Sequence, residues 1–190
     1  MSSSARPRRS LTAAFAAALA AAPIALNAAP AQAATGPATT SAAFSFTARL
    51  DIGNGQRTCS AALVAAQWLA ASASCFSDDP AAGQAPAAGK PKWKTTATIG
   101  RTDLTTNSGQ VREIVELVPR RGRDLVLARL DAPTTGITPV TLATSAPANG
   151  EDLTVAGFGR TKDEWSPTKL HTAVVAVDAA DTTTIALHGK

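Results

Sequence analysis

The sequence contains no tyrosine, only one methionine, two cysteines and two histidines among 190 residues. Each shortage removes a class of function. Without tyrosine, exposed aromatic platforms of the kind glycan-binding modules display rest mainly on Trp68, Trp93 and Trp165; Trp68 reads as core, and the sequence leaves Trp93 and Trp165 open between core and surface. With His171 and His188 the only imidazoles, acid–base chemistry near neutral pH has few candidate carriers. There is no CxxC. A zinc set drawn from Cys59, Cys75 and both histidines is formally open, but its spacing matches no metal motif. No internal repeat is evident, and after residue 33 no apolar run approaches the roughly 20 residues needed to span a bilayer.

What is present begins with an export signal. Arg6, Arg8 and Arg9 form a basic n-region, Leu11 to Ala29 is uncharged and alanine-rich, and Ala31-Gln32-Ala33 supplies a small-x-small cleavage pattern. Pro23, Asn27 and Pro30 interrupt the run, which favours a cleaved signal over a membrane anchor. The expected mature chain is 34–190, one domain's length. Three of the 18 basic residues and none of the 14 acids leave with the signal, so 15 against 14 remain and the net charge falls from +4 to +1. The patches at Lys90, Lys92 and Lys94 and at Arg120, Arg121 and Arg123 read as solvated loops, and nucleic-acid binding is not supported. In an exported chain the two cysteines read as a disulfide.

Residues 34–43 are small and polar, with order expected from Phe44 onward. "FSFTARLDI" alternates with period 2, placing Phe44, Phe46, Ala48 and Leu50 on one face, and "GNG" at 53–55 signals a hairpin. "CSAALVA" is a second strand, although "AALVAAQWLAASAS" has the alanine content of a helix. Residues 77–91 lack any apolar period and read as a mobile surface loop. Further strands are expected at "WKTTATIG", "VREIVELVP", "DLVLARLD", "ITPVTLA", "DLTVAGFGR", "KLHTAVVAVD" and "TTTIALHG". Turns recurring every eight to twelve residues between Thr-, Val- and Ile-rich runs indicate an all-β antiparallel sandwich or barrel.

The segment Cys59-Ser60-Ala61-Ala62-Leu63-Val64, then Trp68, then Ala71-Ser72-Ala73-Ser74-Cys75, resembles the trypsin/chymotrypsin-like serine proteases (peptidase S1). Their motif runs Cys-[Ser/Gly]-Gly-x-Leu-Ile, then Trp-Val-Leu-Thr-Ala-Ala-His-Cys. "GRDLVLARLDAP" at 122–133 is similar to the family's Asp-Ile-Ala-Leu-Leu-x-Leu strand, which puts the family aspartate at Asp124. "VREIVELVP" resembles the strand before it. "LTVAGFGRT" at 153–161 resembles the opening of the second barrel, with Phe158 in place of tryptophan. The resemblance implies a trypsin-like antiparallel barrel over 44–190, the first barrel complete and the second only begun. It implies no cofactor and no metal.

The departures bear on chemistry. The family's histidine position is Ser74, whose hydroxyl does not titrate near neutral pH and cannot act as the general base. No Gly-Asp-Ser-Gly-Gly occurs in residues 1–190, nor an Ile-Val-Gly-Gly start to the mature chain. Asp124 is then expected as a buried carboxylate satisfied by backbone N–H groups near Ala73 and Ser74, by the Ser74 hydroxyl or by water, without catalytic work. His171, in a strand past the barrel junction, is expected to be structural or exposed. The leading expectation is a secreted, non-catalytic homologue whose partner is a protein or polypeptide and which has no membrane association after signal cleavage. Two alternatives stand beside it: a fragment of a longer peptidase-family protein, and a small secreted β-barrel module binding glycan or matrix.

Overall fold

The computed structural model describes residues 36–82 and 84–190; the signal segment 1–33 and its cleavage site lie outside the described residues. Among the described residues nine strands carry the fold: β1 (Thr47–Ile52), β2 (Arg57–Ala65), β3 (Trp68–Ala71), β4 (Thr95–Ile99), β5 (Gln110–Pro119), β6 (Val126–Leu130), β7 (Asp152–Gly157), β8 (His171–Ala180) and β9 (Ile185–Gly189). The first six close into an antiparallel barrel in the order β1-β2-β3-β6-β5-β4, with β4 returning to pair with β1. The last three form a separate antiparallel sheet, β7-β8-β9. Helical structure among the described residues is confined to short 3-10 turns.

Side-chain alternation explains the closure. In β6, Val126, Ala128 and Leu130 are fully buried, while Leu127 between them is largely exposed. The same period puts Leu50, Leu63, Leu69 and Ile99 inside, interleaved with Ala48, Ala61, Ala71, Ala97 and Ala128, while in β5 a register shift between Ile114 and Glu116 brings both Ile114 and Leu117 to the lumen. A six-stranded barrel has a narrow lumen, so small and large residues must share it, and the chain's many alanines supply the small ones. The period also corrects the expectation for Trp68. Leu69 and Ala71 take the inward positions of β3, which turns Trp68 outward and leaves it half-buried.

The alanine-rich 61–74 segment is a β2–β3 hairpin followed by a 3-10 turn at Ala73–Phe76, not a helix. The turn of "GNG" has positive φ at Gly53, Asn54 and Gly55, a run that glycine and asparagine tolerate and other residues resist. Three expectations differ from the structure. The strand expected from Phe44 starts at Thr47, because Ala42–Phe44 forms a 3-10 turn capped by Ser41. "ITPVTLA" forms no strand; it lies along the barrel with Val140 N–H donating to Leu63 O at 2.8 Å. Order begins before Phe44. Thr39 N–H donates to Leu170 O at 2.8 Å, Ala38 bridges to His171, and a side chain at Gly36 would overlap the Thr172 carbonyl.

Both faces of β1 are covered, which simple alternation does not anticipate. Ala48 and Leu50 face the lumen, and Thr47 and Arg49 are buried on the other side. The Arg49 guanidinium donates to Pro167 O at 3.2 Å and to Ser166 Oγ at 3.0 Å, with Asp51 3.5 Å away. This side chain ties the 166–167 part of the segment between β7 and β8 to the barrel, beside the Phe158 N–H bond to Ser60 Oγ and the Leu104–Thr168 and Leu170–Thr102 backbone bonds. The loop over 77–91 contains a 3-10 turn at Pro80–Ala82 and rejoins the barrel through a Gly89–Leu117 bridge.

Candidate functional site

The ends of β3 and β6 set the candidate site. These strands pair antiparallel from Trp68–Arg129 to Ala71–Val126, so the residues just after β3 lie beside those just before β6. Ser74 and Asp124, fifty residues apart in sequence, meet there. Asp124 accepts two hydrogen bonds from Ser74: from its backbone N–H at 2.7 Å (Oδ1) and from its hydroxyl at 3.0 Å (Oδ2). The 3-10 turn presents the backbone N–H toward the carboxylate, and the disulfide fixes that turn through Cys75.

The Ser74 N–H holds the Asp124 carboxyl below the usual carboxylate range. The Ser74 and Ser72 hydroxyls and the Ala73 N–H add to this, and desolvation, second only to the Ser74 N–H, opposes them without reversing the direction. The carboxylate is thus served by donors alone and needs no cationic partner. The expectation that Asp124 is buried is corrected: it lies at the surface, at the edge of an open depression of about 380 Å³ lined by Ala73, Ser74, Pro80, Gln84, Ala85, Gly122, Arg123 and Asp124. Loops and the two 3-10 turns at Ala73–Phe76 and Pro80–Ala82 border this depression, and the carboxylate stays exposed at its edge.

Neither histidine is available to the pair. His171 Nδ1 lies 3.0 Å from Gly36 O, where it anchors the N-terminal segment, and His188 Nδ1 lies 2.7 Å from Asp178 Oδ1 on the outer sheet. A serine hydroxyl held by a carboxylate resembles the nucleophile end of a relay only superficially. The carboxylate is too weak a base, and with no imidazole between them no group takes the proton at neutral pH. Cys59 and Cys75 form a disulfide, with Cα atoms 6.3 Å apart. That removes the zinc set the sequence leaves open, and among the described residues no three His, Cys, Asp or Glu side chains are grouped to hold a metal ion.

Sequence reasoning misses two connections around the site. Arg57 Nη1 donates to Cys75 O at 3.1 Å and Ser77 O at 2.6 Å, bracing the turn that carries Ser74 from the far side of the disulfide. Arg123 Nη1 donates to Thr183 O at 2.9 Å, joining the site to the β8–β9 turn. That turn is itself organised by Asp181, which accepts from the N–H and hydroxyl groups of both Thr183 and Thr184. An arginine donating to a carbonyl leaves no periodic or motif signal, so neither connection is visible before the fold is known.

No curated protein matches the chain. The family model described as Trypsin matches residues 34–189. A match over most of the sequence, a closed six-stranded antiparallel barrel with a partial second sheet, and a disulfide joining β2 to the turn after β3 agree with one another: the chain belongs to the trypsin family.

Proposed function

We propose that this chain is an exported trypsin-family homologue that does not hydrolyse peptides and acts through its surface, a pseudoprotease. The observation that carries the reading is Ser74 at the family's histidine position, with both its N–H and its hydroxyl donated to Asp124. The aspartate that would orient an imidazole is satisfied without one. The family's nucleophile motif, Gly-Asp-Ser-Gly-Gly, does not occur in residues 1–190. Loss of the base is independent of any chain beyond Lys190, so a longer product would face the same defect.

Export is supported by the basic and alanine-rich leader, by a disulfide of the kind that persists in oxidising compartments, and by a family match that begins at residue 34, directly after the expected cleavage point. Among the described residues no helix is long and apolar enough to cross a membrane. Organised by the barrel, 44–190 together with the ordered lead from Gly36 then forms the working domain, and a protein or polypeptide is one ligand class we propose for its surface.

Two readouts on the natively secreted protein test this reading. An unreduced peptide map of it is expected to begin at Ala34 and to show the Cys59 and Cys75 peptides linked. A fluorophosphonate probe, which labels only activated serines, is expected to leave it unmodified. Stoichiometric labelling of one serine defeats the reading.

A further inference from the structure

A second concavity, separate from the Ser74–Asp124 depression, lies between the β1–β2 turn and the segment after β7. It encloses about 470 Å³, within the range of small-molecule sites. Its walls hold Arg57, Arg160 and Trp165, with Gln56, Thr58 and Ser60 beside them, and no acidic residue lines it. Among the described residues neither Arg57 nor Arg160 has a carboxylate at ion-pair distance. Asp78, whose charge reaches Arg57, is paired with Lys92 at 2.8 Å.

Trp165 is 79 % exposed, far beyond what a tryptophan adopts for stability alone. It is not loose. The Arg160 guanidinium sits 4.9 Å from its ring centroid, which braces one face and leaves most of the indole bare. Arg57 is fixed by its bonds to Cys75 O and Ser77 O. Ser60 Oγ accepts the Phe158 N–H at 2.8 Å, which leaves its own O–H to donate into the concavity. The site thus offers a flat aromatic face, one guanidinium held by two carbonyls, a second stacked on the indole, and neutral groups that both give and accept hydrogen bonds.

We propose that this concavity binds a carboxylated sugar ring, a uronic-acid residue of a glycan. The C–H face of a pyranose stacks on the indole face of Trp165 that Arg160 leaves open, the carboxylate is drawn by the positive charge of Arg57 and Arg160, and Gln56, Thr58 and Ser60 take ring hydroxyls. An acidic peptide satisfies the charge but gives the indole and the hydroxyls nothing specific to do. A ring that presents one apolar face, one carboxylate and several hydroxyls uses every group in the wall. The site does not depend on whether the chain hydrolyses peptides.

The test is calorimetric titration of the disulfide-intact mature protein with an α-1,4-linked galacturonate trimer, a neutral galactose trimer and a triglutamate peptide. The uronate trimer is expected to bind saturably, and the neutral trimer at least tenfold more weakly. Trp165→Ala is expected to lower uronate affinity at least tenfold. Arg160→Gln is expected to lower it severalfold and to flatten its salt dependence. Both residues are exposed, so a thermal melt of each variant should match the parent. Absence of saturable uronate binding, unchanged affinity in Trp165→Ala, or triglutamate binding as tight as the uronate each overturns the assignment, the last in favour of a peptide site.

Discussion

Replacing Cys59 and Cys75 together by serine removes the covalent link between β2 and the turn that carries Ser74. The two residues are separated by 16 positions. In the chain-entropy account, freeing a loop of that length returns about 3 kcal/mol of conformational entropy to the unfolded state. Cys75 is 8 % exposed and packs with the barrel core, so the native side of the balance also loses contacts. For a domain of this size a urea slope of about 2 kcal/mol per molar turns that loss into a midpoint shift of about 1.5 M. Ser74→Ala, by contrast, removes one surface hydroxyl bond to Asp124 and keeps the backbone donor, for about 1 kcal/mol or less. Urea unfolding followed by far-UV circular dichroism, under non-reducing conditions, measures both. The reasoning is refuted if the double serine variant shifts by less than about 0.3 M, or if Ser74→Ala shifts as far as it does.

Arg49→Ala is expected to cost about 2–4 kcal/mol, since it strips Pro167 O and Ser166 of a charged donor in a buried site and leaves Asp51 without its partner; an unchanged denaturation midpoint would show that the barrel and the 166–167 segment are not coupled through it. The carboxyls of Asp124 and Asp181 are both held below their ordinary range by neighbouring donors in the folded state. The unfolded chain therefore binds protons first, and their contribution is present above about pH 4 and lost as the pH falls through the folded-state values. Melting temperature should accordingly fall more steeply below pH 4 in the parent than in an Asp124→Asn/Asp181→Asn variant; parallel acid limbs would contradict this. Leu63→Ala, at a fully buried lumen position, is expected to cost about 2–5 kcal/mol in the same urea titration, and a loss below 1 kcal/mol would mean that the barrel core is not packed as described.

The barrel was legible where one side of a strand faces the lumen and the other faces water. The period-2 reading of "FSFTARLDI" puts Ala48 and Leu50 on one face, which is the lumen face of β1, and "CSAALVA" reads as the strand that β2 is; β3 at Trp68–Ala71 goes unread. Legibility failed where a second layer intervenes. Arg49 reads as an outward residue until the 166–167 segment, 118 positions away, covers it. Gly36 to Thr39 read as an unstructured lead because their partners, Leu170 to Thr172, announce nothing in sequence. "ITPVTLA" has strand composition but finds no neighbouring strand to pair with.

At the candidate site, the meeting of positions 74 and 124 follows from the register of β3 on β6, and the family motif pointed to both. The exposure of Asp124 did not follow, because burial depends on what packs over the carboxylate and that is not written in the motif. Trp165 was equally opaque. A tryptophan in a polar loop can fold inward or stand out, and here it stands out with the Arg160 guanidinium 4.9 Å from its ring.

Peptidase turnover is the most direct test of the central claim, that the fold persists here without its chemistry. The secreted, disulfide-intact protein would be assayed against unfolded casein and a mixed fluorogenic peptide library, with an Asp124→Asn variant purified in parallel. The account predicts no hydrolysis above buffer for either protein. Hydrolysis by the parent that disappears in Asp124→Asn would show that this aspartate serves a working catalytic centre, and would contradict the account.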